Sequence, residues 1–134
     1  MTGPSTPHPA THIGCHVFTF GTDRWCVTLA QELIAADPTA AEPHPHVGIG
    51  DLGVFLGGLV RIDPDHAMTR DLSLPLLIAP LPIGQGSVHV LIDGWHRVYR
   101  ALSEGLTDLP AYVLTAATEQ AARYPLPHYP RGPR

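Results

Sequence analysis

An apolar strand that passes directly into a helix is the feature that most constrains this chain. Residues 90–101 read VLIDGWHRVYRA, so that an Asp-Gly pair separates an apolar run from a segment with helical spacing. Val98, Ala101 and Leu102 then fall on one face of that helix. A strand and a helix joined by so short a turn must share one hydrophobic core. The chain is therefore predicted to mix strands and helices.

The same turn predicts a site for an anion. The start of a helix has backbone N–H groups without intrahelical partners, and the positive end of the helix dipole lies behind them. Gly94 lets a ligand approach the backbone closely, and His96 and Arg97 add side-chain donors. Asp93 can cap the helix or hold a divalent cation that bridges to the ligand.

Length and composition predict one soluble domain. The chain has 134 residues, of which 44% are hydrophobic, and this is enough for a single core. Its net charge of −4 argues against coating nucleic acid by bulk electrostatics. No apolar run reaches the roughly twenty residues of a membrane span. Cys15 and Cys26 match no zinc pattern and follow no secretory signal, so we expect reduced thiols and a cytoplasmic location.

Sequence patterns predict the order of the elements. We expect an N-terminal tail over 1–11, a domain over 12–123 and a proline-rich tail over 124–134. Thr39 to Pro45 is predicted to be a loop, and 52–62 to form strand-like pieces. The other predicted strands are 16–20, 74–79, 88–92 and 109–114. The predicted helices begin at Val27 and end at Asp37-Pro38, run from Trp95 to about Ser103, and run from Thr118 to Arg123 with Thr115 or Thr118 as the cap.

Three motifs in the second half of the chain carry a family resemblance. They are Leu-Ile-Asp-Gly-Trp-His-Arg at 91–97, Glu-Gly-Leu at 104–106 and Leu-Pro-Ala-Tyr-Val-Leu at 109–114. Together they resemble the ParB/sulfiredoxin-like superfamily, also called ParB N-terminal domain-like. The resemblance implies an α+β domain in which helices pack on a small mixed β-sheet. It also implies a nucleotide-phosphate site at the start of the helix that follows Gly94.

The resemblance assigns roles to individual residues. His96 and Arg97 would neutralise phosphate oxygens, and Asp93 would hold Mg²⁺. Gly94, Trp95 and Arg100 would complete the binding site for ATP, ADP or CTP, with Trp95 available to stack on a base. An upstream carboxylate, Asp63, Asp65 or Asp71, would activate the attacking group in a hydrolase or phosphotransferase.

The chain also departs from known members of that superfamily. Sulfiredoxins have a catalytic cysteine where this chain has Trp95, so sulfiredoxin chemistry is not expected. Chromosome-partitioning ParB proteins continue into a helix-turn-helix, which this sequence does not contain, so centromere binding is not expected either. The competing hypothesis is a non-enzymatic accessory module that binds a partner protein or nucleic acid, including a nuclease-type role on DNA.

Overall fold

A computed structural model describes residues 14–55 and 60–124, without the side chains of 54 and 55. The predicted tails, 1–11 and 124–134, lie outside the described residues except for Tyr124. Over the described part the fold is mixed α+β, as the sequence predicts. The chain divides into two compact units, one containing residues 14–42 and 114–124 and the other residues 43–113, and each is described by itself.

The first unit begins with a hairpin. Strands β1 (Val17–Phe20) and β2 (Asp23–Cys26) pair antiparallel, and Gly21 supplies the positive φ of 63° that the tight turn requires. Helix α1 (Val27–Ala36) follows β2 without a linker. It ends before Asp37, as predicted, because Pro38 cannot continue a helix and disfavours helical backbone before it.

The two cysteines of this unit are joined to each other. The register of the hairpin places Cys26 opposite Val17, which brings Cys15 within reach, and the two form a disulfide bond. The expectation of two reduced thiols is therefore wrong. The unit is completed by helix α4 (Ala116–Ala122), which begins two residues earlier than predicted because the Thr115 side chain accepts the N–H of Thr118 as the N-terminal cap.

A four-stranded sheet lies mainly in the second unit. Its strands are β3 (Ala41–Gly48), β4 (Leu76–Ile83), β5 (Gly86–Asp93) and β6 (Asp108–Leu114), in the order β3-β6-β4-β5. β4 pairs antiparallel with β5 and parallel with β6, so the sheet is mixed, as the resemblance implies. The register shifts between Leu77 and Ile78, and this bulge puts Asp93 opposite Leu77 at the end of β5.

The prediction of a loop over 39–45 is wrong for most of that segment. Its first residues form a 3₁₀ turn at Pro38–Ala40, but the rest belongs to β3. Pro43 and Pro45 argue against a strand because they lack N–H donors. Since they are two residues apart, however, both donors are missing from the same side of the strand, and β3 lies at an end of the strand order, where only one side must pair.

Two helices pack together in the second unit. Helix α2 (Pro64–Ala67) contacts α3 (Trp95–Ser103), which has the predicted bounds. Val98 and Ala101 of α3 are completely buried, as is Leu76 of β4. Of the strand-like pieces expected over 52–62, residues 52–55 belong instead to a 3₁₀ helix over Gly50–Phe55, and residues 56–59 lie outside the described residues. Within the described residues, no helix has the length and apolarity needed to cross a membrane.

Candidate functional site

The predicted site lies where β5 passes into α3. Gly94 connects them with φ of 109°, a left-handed conformation that favours glycine. A Cβ at this position would overlap Leu76 Cδ2 and lie 3.3 Å from Nη2 of Arg97. Gly94 is required because both its backbone conformation and the close packing of β4 exclude a side chain.

Arg97 is directed into the protein. Its side chain is 3% exposed, and Nη1 donates to the carbonyl oxygens of Leu74 at 2.6 Å and Pro75 at 2.7 Å. Nη2 donates to Oδ2 of Asp93 at 3.0 Å. Burial lowers the pKa of Arg97, and the charge of Asp93 opposes that shift. The arginine therefore joins the segment before β4 to the turn after β5, instead of extending outward to clamp a phosphate.

The three hydrogen bonds of Arg97 leave two of its five N–H groups, one of which is on Nε. Its Nε is buried and has no hydrogen-bond partner among the side-chain atoms that the structure describes. A buried N–H without an acceptor costs about 1 to 3 kcal/mol. The guanidinium also lies against Gly94, so this unsatisfied donor is in the same region as the start of α3.

His96 is the partly exposed member of the predicted pair. Its Nε2 accepts the backbone N–H of Asp63 at 3.3 Å. Its ring meets that of His66 edge to face, with centroids 4.8 Å apart. The pKa of His96 is lowered, first by burial and then by the positive charges of His66 and Arg70, while Asp63 acts in the opposite direction. His96 is therefore neutral at pH 7.

Sequence reasoning did not assign His66 or Arg70 to the site. The segment 64–68 predicts a short helical turn with Pro64 at its first position, and the structure confirms it. Oδ1 of Asp63 accepts the N–H groups of Asp65 and His66 at the start of α2. Nothing in the spacing shows that α2 would pack on α3. The long-range contact between these helices is what brings His66 to His96.

Arg100 and Trp95 hold α3 to the segments next to it. Nη1 of Arg100 donates to the carbonyl oxygen of Arg70 at 2.7 Å, and Nε donates to Glu104 at 2.8 Å. Arg100 thereby holds the segment after α2 against α3. Trp95 is 9% exposed and its indole N–H donates to the carbonyl oxygen of Leu91 at 2.9 Å. Trp95 thus has the burial and bonding of a packing residue.

The carboxylates near the turn take part in local structure. Asp93 is paired with Arg97, and Asp63 caps α2. Asp71 accepts the hydroxyl and backbone N–H of Ser73, at 2.7 and 2.9 Å, and these bonds lower its pKa. Among the described residues, no three His, Cys, Asp or Glu side chains are grouped so that they could hold a metal ion.

The chain was compared with known protein families, curated proteins and solved structures. No protein-family model, no curated protein and no solved structure matches this chain.

Proposed function

We propose that this chain binds the phosphate groups of a nucleotide at the turn between β5 and α3, in a fold of the ParB/sulfiredoxin-like type. The observation that carries the proposal is the contact between His96 and His66 at the first turn of α3, with Arg70 nearby. Besides burial, the charges of the latter two residues lower the pKa of His96. Asp63 and Asp93 act in the opposite direction. The charge of Arg70 and the protonated form of His66 are the groups at this turn that would attract a phosphate.

The cap of α3 supports the same conclusion. The other three α-helices of the described residues have an N-cap side chain that accepts a backbone N–H, namely Cys26, Asp63 and Thr115. The N-cap of α3 is Gly94, which has no side chain to offer. The N-cap residue therefore supplies no acceptor to the amides of His96 and Arg97, and a phosphate oxygen fits that place.

His96 is suited to donate a hydrogen bond to the phosphate. Because its Nε2 accepts the N–H of Asp63, the proton of the neutral ring is on Nδ1. In this state His96 is a donor without a charge of its own. A bound phosphate would raise the pKa of His96 toward its ordinary value, and the resulting charge would strengthen the bond.

Arg97 acts in this proposal as a positioning residue. Three of its hydrogen bonds hold Asp93 and the two residues before β4 around Gly94, so the turn is preformed before a ligand arrives. The unpartnered Nε is a buried donor that is available to a ligand oxygen or a water after a small adjustment.

Magnesium fits this site poorly without a nucleotide. The one carboxylate of the turn is Asp93, and one of its oxygens already accepts from Arg97. Mg²⁺ in proteins is usually bound by one or two carboxylates together with substrate phosphates and water. We therefore assign no step to the cation.

Binding is proposed in preference to hydrolysis or phosphoryl transfer. Both reactions need a group that activates water or an acceptor. Asp63 and Asp71 instead accept hydrogen bonds from their own loops, and His96 uses Nε2 for Asp63. A nucleotide-dependent binding switch needs none of these groups to be released.

Thermal unfolding with a series of ligands tests the proposal. ATP, ADP and CTP, with and without Mg²⁺, are compared with adenosine, which has no phosphate. We expect nucleotides that bind to raise the melting temperature in a saturable way, because a ligand of the folded state stabilises it by mass action. Adenosine should have no effect.

A matched pair of histidine variants locates the site. His96→Ala should weaken nucleotide binding about tenfold, since it removes one donor to a phosphate. His89→Ala should leave binding unchanged, since His89 is exposed on β5 away from the turn. Equal binding by the two variants, or equal shifts with adenosine and ATP, would contradict the proposal.

The accessory-module hypothesis predicts different results. A chain that serves only to bind nucleic acid or a partner protein would show no shift with any nucleotide. Binding or Mg²⁺-dependent cleavage of DNA that is unchanged in His96→Ala would support that alternative. Release of inorganic phosphate from ATP by the wild-type chain, lost in His96→Ala, would instead extend our proposal to hydrolysis.

A further inference from the structure

The disulfide of the first unit encloses the whole β1–β2 hairpin. It joins Cys15, which precedes β1, to Cys26, the last residue of β2 and the N-cap of α1. The bond therefore lies at the start of a ten-residue helix. This position is unrelated to the nucleotide site proposed above, and the inference drawn from it does not depend on that proposal.

The two sulfur atoms are in different environments. Cys26 is completely buried beside Leu29, whereas Cys15 is only partly buried against them. Sγ of Cys26 accepts the backbone N–H of Leu29 at 3.3 Å, and the first turn of α1 contains no acidic residue. A negative charge on Cys26 would be stabilised by this N–H and by the helix dipole.

We propose that Cys15–Cys26 is an exchangeable disulfide that thiols open at the sulfur of Cys15. An external thiolate attacks Sγ of Cys15 and forms a mixed disulfide with it. The bond to Cys26 breaks, and its electron pair stays on Cys26 as a thiolate at the N-terminus of α1. A second thiol then attacks the external sulfur and leaves as part of an oxidised disulfide, so that the protein gains two electrons and Cys15 is freed.

The hairpin does not need the disulfide to keep its shape. Its strands are paired from Val17↔Cys26 to Phe20↔Asp23. Its base is held by Val27 N–H donating to the carbonyl oxygen of His16 at 2.7 Å, and by His16 N–H donating to the Thr28 hydroxyl at 3.0 Å. Opening the bond therefore produces a partly buried thiol at Cys15 and a buried one at Cys26 without a requirement to unfold the unit.

Equilibration of the folded wild-type chain with glutathione buffers is the first test. Structural disulfides resist reduction by the glutathione pool, whereas regulatory ones are reduced by it. We expect most molecules to be reduced in a predominantly reduced glutathione buffer without denaturant, as counted by thiol alkylation and mass spectrometry. We also expect the trapped mixed disulfide to be on Cys15. Resistance to the buffer, or an adduct mainly on Cys26, would overturn the proposal.

A pair of single-cysteine variants tests the role of the helix. Cys15→Ser leaves Cys26 as a thiol, and Cys26→Ser leaves Cys15. The ultraviolet absorbance of the thiolate, followed against pH, gives each pKa without requiring access to the sulfur. We expect Cys26 to titrate below the ordinary value of about 8.5 and below Cys15. Burial alone raises the pKa of a thiol, so a Cys26 that titrates above Cys15 would contradict stabilisation by α1.

Discussion

Each unit of the protein contains an arginine paired with a carboxylate four residues earlier, but the sign of the buried charge differs. In the second unit Arg97 is the buried partner, with 3% of its side chain exposed against 23% for Asp93. In the first unit Glu119 is buried, with 1% exposed against 34% for Arg123. The two pairs show how one sequence spacing can produce opposite local potentials.

The buried carboxylate is compensated within its own unit. Oε2 of Glu119 accepts the indole N–H of Trp25 at 2.8 Å and pairs with Nε of Arg123 at 2.6 Å. Arg123 also binds Asp23 at 2.8 Å. These contacts join α4 to the β1–β2 hairpin. This pair therefore has the bonding expected of a structural clamp.

The buried cation is compensated less completely. Arg97 has one carboxylate partner, two backbone carbonyl partners and an unpartnered Nε. The pKa of His96, the residue before it, is lowered first by burial and then by the charges of His66 and Arg70. Under the proposed function, the buried arginine next to the uncapped glycine turn would serve anion binding, whereas the buried glutamate with its two donors serves stability.

Removal of Arg97 is expected to have the largest effect on stability. Arg97→Met keeps much of the side-chain volume but leaves Asp93 and the carbonyl oxygens of Leu74 and Pro75 without their donor. The free energy of unfolding should fall by about 4 kcal/mol, the range found when a buried ion pair loses one partner. Urea unfolding followed by circular dichroism measures this loss.

Arg97→Lys is the control for that substitution. A lysine keeps the charge but cannot reach three acceptors with the planar geometry of a guanidinium. It should lose less stability than Arg97→Met. If the methionine variant were as stable as the wild type, Arg97 would not stabilise the turn, and the contrast between the Arg97–Asp93 and Arg123–Glu119 ion pairs would not hold.

Substitution of Gly94 should have the second-largest effect. Gly94→Ala forces a Cβ against Leu76 and places a non-glycine residue at φ of 109°. The expected loss is about 2 kcal/mol, since strained backbone and overpacking each cost energy of this order. Gly84→Ala is a useful control, because Gly84 also has positive φ but its Cβ would meet nothing within 4 Å. Equal losses would show that the packing around Gly94 is unimportant.

Local sequence signals predict much of this fold. Helix α3 has the predicted bounds because its apolar spacing and Gly105 specify both its core face and its end. Helix α1 ends where Asp37 and Pro38 require it to end. The strand β3 was missed, because its prolines are unfavourable in a central strand and the position of a strand at a sheet edge depends on long-range pairing.

The candidate site is less predictable than the elements that form it. The sequence identifies Asp93, Gly94, His96 and Arg97 because they adjoin one turn. Two properties depend on tertiary contacts instead. Arg97 is buried because β4 brings Leu74 and Pro75 to it, and His96 meets His66 because α2 packs on α3. Neither contact leaves a periodic pattern in the chain.

Glu119→Gln tests the other half of the comparison and should have a smaller effect than either change at the turn. Glutamine keeps an oxygen that can accept the indole N–H of Trp25, but it removes the charge opposite Arg123. The expected loss is about 1.5 kcal/mol, because Arg123 is partly exposed and retains Asp23. Urea unfolding measures it. A loss larger than that of Arg97→Met would reverse the ranking of the two pairs.

The smallest expected effect is a pH dependence of stability that arises from His96. Its pKa in the folded chain lies below the ordinary value, first because of burial and then because of His66 and Arg70. The unfolded chain therefore binds a proton more readily than the folded chain does. The contribution of His96 to stability is complete above about pH 6.5 and is lost as the pH falls through the lower folded pKa.

Urea unfolding at a series of pH values measures this dependence. His96→Gln should flatten the loss of stability on the acidic side of pH 6.5, and His89→Gln should not, because His89 lies in the exposed part of β5. A bound phosphate opposes the positive charges that lower the pKa of His96, so a saturating nucleotide should also flatten the wild-type curve. If His96→Gln kept the full slope, His96 would not be the group whose lowered pKa makes the stability depend on pH.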